Sequence, residues 1–83
     1  MNMSLSSFGN NSLFIGDLSK FCTEAELENL FTGFGQILDV KIKRNNNTGK
    51  TLSYGFVTFA NEEIANNAMK SLDGTLFCGR KLR

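Results

Sequence analysis

Two helical stripes set among singly alternating apolar residues constrain this chain more than any other feature. Leu27, Leu30, Phe31 and Phe34 fall at i, i+3, i+4 and i+7. Ala65, Ala68, Met69 and Leu72 repeat that spacing. Each set paints one apolar face on a helix, and a helix must bury such a face. Thr23 with Glu26 is a capping box ahead of the first stripe, and Asn61 can cap the second. Gly35 and Asp73-Gly74 are the matching stop signals. Elsewhere the period drops to two, which is that of a strand. Leu13 and Ile15 alternate with Phe14 and Gly16, while Leu38, Val40 and Ile42 alternate with Asp39, Lys41 and Lys43. Residues 52–59 read LSYGFVTF, and a last short strand begins near Arg80. The order is β-α-β-β-α-β. One sheet covers both stripes if both helices share a face. The expected class is therefore α+β and ferredoxin-like, a four-stranded antiparallel sheet with two helices on one side.

The chain has 83 residues, room for one small domain. Residues 1–11, MNMSLSSFGNN, are rich in Ser, Asn and Gly and read as a flexible lead-in. The domain proper runs over 12–83, with its last strand cut short by the chain end. Residues 45–50, NNNTGK, suit a polar hairpin loop. No apolar run approaches the length of a membrane span, and the first residues do not resemble a secretory signal. There is no His, so Ser-His-Asp and Cys-His chemistry is excluded, and an enzyme is not expected. Two cysteines are too few for a zinc site, and no cofactor or metal is implied. Cys22 and Cys78 could form one disulfide, but reduced thiols in an intracellular, nuclear or cytoplasmic protein are the expected state.

The side of the sheet away from the helices carries the functional information. If Leu13 and Ile15 face the core, Phe14 faces out. If Gly55, Val57 and Phe59 face the core, then Leu52, Tyr54, Phe56 and Thr58 face out. Three aromatics on a solvent-facing sheet mark a binding surface, because the chain is too short to add a covering layer. The net charge of +1 gives no bulk attraction for nucleic acid, so charge placement matters. Lys41, Lys43, Arg44 and Lys50 fall on the second strand and its loop, and Arg80, Lys81 and Arg83 on the last strand. Glu24, Glu26 and Glu28 fall on the first helix, behind the sheet.

At these residues the sequence resembles the RNA-recognition motif family. Leu13-Phe14-Ile15-Gly16-Asp17-Leu18 is similar to its first-strand motif, and Leu52-Ser53-Tyr54-Gly55-Phe56-Val57-Thr58-Phe59 to its third-strand motif. Phe34-Gly35, Thr48-Gly49-Lys50, Asp73-Gly74 and Gly79-Arg80 extend the likeness over residues 12–83. The resemblance implies single-stranded RNA bound on the sheet, with bases on Phe14, Tyr54 and Phe56. Lys41, Lys43, Lys81 and Arg83 are the phosphate candidates. Leu52 stands where the family carries a basic residue, which removes one charge from that path, and Asp17 stands where Asn is usual. Single-stranded DNA fits the same surface, since stacking does not need the 2′-hydroxyl. A monomer acting beside neighbouring domains of a larger protein is expected.

Two other classes compete. A protein-binding variant of the same fold takes a Trp-containing peptide between its helices. Its acidic helix is matched by Glu24, Glu26 and Glu28, and its Phe by Phe77, but Thr75 replaces its Arg. Acylphosphatases share the strand order, yet the stretch after the first strand here has no Arg to hold phosphate.

Overall fold

The computed structural model describes residues 2–18, 22–45 and 52–82. The elements run β1 (Asn2–Phe8), β2 (Ser12–Gly16), α1 (Glu24–Thr32), β3 (Ile37–Asn45), β4 (Leu52–Phe59), α2 (Glu62–Leu72), β5 (Leu76–Phe77) and β6 (Arg80–Leu82). The expected β-α-β-β-α-β order is β2-α1-β3-β4-α2-β6, and both helices pack on one side of the sheet.

Both helix starts follow the local chemistry read above. The Glu26 N–H donates to Thr23 Oγ1 at 3.2 Å, and the Ile64 N–H donates to Asn61 Oδ1 at 3.0 Å. Each bond satisfies an amide that the first helical turn leaves unpartnered. The stripes then go inward. Leu27 and Phe31 are fully buried from α1, and Ala65, Ala68 and Leu72 are buried from α2. They meet Leu13, Ile15, Val57 and Phe59 from the sheet. The Phe31 and Phe59 rings meet edge to face with centroids 5.8 Å apart. Gly55 lets α1 approach: a Cβ there would sit 3.0 Å from Leu27 Cδ1 and 3.4 Å from the Lys41 carbonyl. Gly55→Val adds a branched side chain to that contact and should destabilise the fold by about 1–3 kcal/mol, readable as a lower denaturation midpoint.

The sheet has six strands in the order β3-β4-β2-β1-β6-β5, rather than the expected four. The additions are β5, a two-residue strand paired with β6, and β1. Residues 2–8 are therefore not a flexible lead-in. Met3 and Leu5 alternate with Ser4 and Ser6, and Gly9 at φ 76° opens a tight turn into β2. Leu5 pairs with Ile15 and Ser6 with Phe14 in the antiparallel register. Met3 and Leu5 are buried in the core. The turn is tied to β4, since Asn11 Nδ2 donates to the Phe59 carbonyl at 2.8 Å and the Phe59 N–H donates to the Asn11 carbonyl at 2.8 Å. The sheet is also not wholly antiparallel, because β6 runs parallel to β1, with Met3 beside Leu82.

Two further expectations change. Leu38 does not join Val40 and Ile42 on the core side. A bulge between Ile37 and Asp39 turns it out, leaving it 57% exposed. Cys22 and Cys78 are joined as a disulfide rather than held as separate thiols, with Cα atoms 6.0 Å apart. Cys22 precedes the α1 cap and Cys78 sits in the β5–β6 turn, and the fold brings these distant segments together.

Candidate nucleic-acid interface

The register of three strands assembles the aromatic face. Phe14 of β2 lies opposite Phe56 of β4, and on β3 Lys41 lies opposite Phe56 and Lys43 opposite Tyr54. Directly opposed residues share a face, so these five side chains stand on the side away from the helices. Their flanking partners Val57 and Leu13 are buried on the other side. The rings touch: centroids are 5.4 Å apart for Phe14–Phe56, 5.9 Å for Phe14–Tyr54 and 5.8 Å for Tyr54–Phe56. All three are half-buried, so each keeps an accessible surface. Mutual contact lowers their freedom to rotate, which reduces the entropy lost when a ligand stacks on them.

Gly16 makes room for this arrangement, since a Cβ there would lie 2.9 Å from Phe14 Cε1. A hollow beside it is lined by Ser4, Phe14, Gly16, Asp17 and Tyr54. Asp17 adopts φ 53°, a left-handed conformation that Asp and Asn accept more readily than most residues. A second hollow lies at the other end of the strip, between Phe56, Thr58 and the lysines of β3.

Cations border the strip on the β3 side and lie further off on β6. Lys41 and Lys43 are exposed on β3. Lys41 Nζ is 3.7 Å from Asp39 Oδ2, but both side chains are more than half exposed, so this pair is weak. On the far side, Leu82 is buried, so its neighbour Lys81 faces the open side and is exposed. Lys81 does not adjoin the aromatics. The strand β1 separates β6 from β2, which places Lys81 about 10 Å from the line of Phe14. Leu52 pairs with Asn45 through its backbone at the start of β4, while its side chain, Lys50 and Arg83 lie outside the described residues. The acidic residues sit behind. Glu24 and Glu28 of α1 line a groove with Leu38 and Val40, while Phe77 on β5 precedes Cys78, whose Sγ is bonded to Cys22 and lies 3.3 Å from Glu26 Oε2 at the start of α1.

Phe8 of β1 joins this face. It is 52% exposed, and its ring lies 5.1 Å from that of Phe56. Its signal was the turn Gly9-Asn10-Asn11 joining two alternating runs.

Known proteins resemble this chain over most of its length. The family model described as RNA recognition motif matches residues 13–83. The chain is 37% identical over 73 residues to glycine-rich RNA-binding protein 4, mitochondrial, of Arabidopsis thaliana, covering 88% of this chain and 54% of that protein. The second RRM domain of yeast poly(U)-binding protein superposes with a TM-score of 0.72 at 35% identity, covering 86% of each chain. The Sxl-lethal protein in its RNA complex gives 0.72 at 25% identity, covering 88% of this chain and 44% of that one. The chain thus spans about half the length of the first of these relatives. With two aromatic motifs on adjacent strands and a family match over nearly all of its length, the chain belongs to the RNA recognition motif family.

Proposed function

We propose that this domain binds single-stranded RNA as a monomer, on the open face of its sheet, as one module of a larger RNA-processing or regulatory protein. One observation carries the reading: Phe14, Tyr54 and Phe56 form a contiguous, accessible aromatic strip beside the exposed Lys41 and Lys43. Every base has a π face, so such a strip takes successive bases with modest sequence preference, at about 1–3 kcal/mol per stack. A duplex hides those faces. Two to four nucleotides fit the strip, and a lone domain of this kind binds at micromolar strength, about −8 kcal/mol. The RNA-binding name of the Arabidopsis relative and the RNA in the Sxl-lethal complex support the ligand class. That relative is named as mitochondrial, which widens the compartments to consider beyond nucleus and cytoplasm. A Trp-peptide groove is less favoured: the Cys22–Cys78 disulfide holds the β5–β6 turn at the start of α1, but Thr75 stands where that variant carries Arg, and the three sheet aromatics are kept.

An amide chemical-shift titration with a pool of short random RNAs at low salt tests the reading. Shifts should centre on Phe14, Tyr54, Phe56, Lys41 and Lys43, and a silent sheet would overturn it. Salt dependence gives a second check. With two to four phosphates neutralised, log K should fall against log salt with a slope of roughly −1.5 to −3. The double change Lys41→Gln with Lys43→Gln should weaken binding and flatten that slope by about 1.4, two phosphates at ~0.7 each. An unchanged slope would remove both lysines from the phosphate path.

A further inference from the structure

The strand β1 does more than widen the sheet. It carries Phe8 onto the aromatic face, where Phe8 lies opposite Ser12 and leans on Phe56. We propose that Phe8 is a fourth base-stacking position, which extends the RNA path beyond Phe56 by one nucleotide. The proposal rests on the sheet-face reading above and adds a residue that the two strand motifs do not contain.

Three observations support it. First, Phe8 is 52% exposed, more than half of its surface, although it stands against another aromatic ring. A ring placed there to seal the core would be covered; the residues of β1 that serve the core are Met3 and Leu5. Second, Phe8 opens onto a hollow of about 290 Å³ whose other walls are Phe56, Ser12, Thr58, Asp39, Lys41 and Lys43, two cations against one carboxylate. These groups match the parts of a nucleotide. Phe8 and Phe56 offer apolar ring surface for the base. Ser12 Oγ and Thr58 Oγ1 are hydrogen-bonded to each other at 3.0 Å, which leaves one hydroxyl hydrogen to donate and oxygen lone pairs to accept for its edge or the sugar. The lysines offer charge for the phosphate. Lys41 is partly occupied by Asp39 at 3.7 Å, which leaves Lys43 as the freer cation. Third, the hollow is continuous with the Phe14–Tyr54–Phe56 strip through Phe56, so one strand of RNA can cross all four rings without a break.

The rings of Phe8 and Phe56 are already in contact, with planes inclined by 44°. No base inserts between them. The added nucleotide instead lies across the outer surface of Phe8, following the turn of the sheet.

The test must separate stacking from simple covering of Phe56. Phe8→Leu keeps apolar bulk against Phe56 and removes the π face. Phe8→Tyr keeps the ring. Binding of short random-sequence RNA at low salt is measured for both, alongside Phe56→Ala. Phe8→Leu should weaken binding roughly 5–150-fold, the loss of one stack, and Phe8→Tyr should leave it unchanged. If Phe8→Leu binds like wild type while Phe56→Ala is weakened, Phe8 only covers Phe56 and the proposal fails, with the sheet-face reading intact. If neither change alters binding, the sheet-face reading fails and the proposal falls with it. A readout without any substitution guards against a displaced β1. On RNA addition to the wild-type domain, the Phe8 ring resonances should shift together with those of Phe14 and Phe56. A silent Phe8 ring beside shifting Phe14 and Phe56 rings would overturn the proposal.

Discussion

Deleting residues 1–11 should remove most of the domain's stability. Met3 and Leu5 are both buried, and each such side chain contributes about 1.5–3 kcal/mol by burial. Their loss also uncovers Leu82, which is fully buried beside Met3, and takes away the strand that joins β6 to β2. The three side chains together come to about 4.5–9 kcal/mol. A domain of this size has a total stability of about 4–12 kcal/mol, so the truncated chain should be largely unfolded or close to it. Guanidinium denaturation followed by circular dichroism reads the effect. The competing outcome is physical: β6 could slide across and pair with β2 directly, which would leave the midpoint little changed. That result would show that β1 is replaceable. Met3→Ala separates the two cases, because it keeps the backbone ladder and opens a cavity worth about 2–5 kcal/mol.

What the chain reveals by itself divides along local and non-local lines. The helices were legible because their signals lie within one or two turns: Thr23 and Asn61 cap, and the two stripes bury where the 3.6 period puts them. The aromatic face was legible because a strict period of two separates Phe56 from Val57 whatever the partner strand. The failures each depend on a distant partner. Leu38 obeys the alternation of β3 in sequence, but a bulge opposite Thr58 and Phe59 breaks it in space. Cys22 and Cys78 are 56 positions apart, and no spacing rule says that the α1 entry meets the β5–β6 turn. Lys81 is on the last strand as expected, but β1 lies between that strand and the one carrying Phe14. The β1 strand itself was masked by composition. Serines dominate residues 4–7, yet Met3 and Leu5 alternate across them and Gly9-Asn10-Asn11 is a hairpin turn. Weighing period above polarity would have found both the strand and Phe8.

The largest effect on function should come from Phe56→Ala. Phe56 sits at the centre of the strip, with ring centroids within 5.8 Å of Phe8, Phe14 and Tyr54. Removing it takes away one stacking surface, about 1–3 kcal/mol, and leaves three rings without their common neighbour. RNA affinity should fall roughly 5–150-fold, and Phe14→Ala combined with it should not add its full single effect, because rings in contact couple. The fold should survive. Phe56 is half-buried on the open face, and the aromatic contacts it loses are worth only about 0.5–1.5 kcal/mol each. The adjacent residue supplies the control. Val57 is fully buried on the helix side, so Val57→Ala should lower stability while leaving the affinity of the folded fraction intact. Two neighbouring positions thus report on different properties, since each strand residue projects to the face opposite its neighbour. If Phe56→Ala binds RNA as tightly as wild type while its amide spectrum stays native, the bases do not travel over the centre of this sheet. Attention would then move to its charged margins.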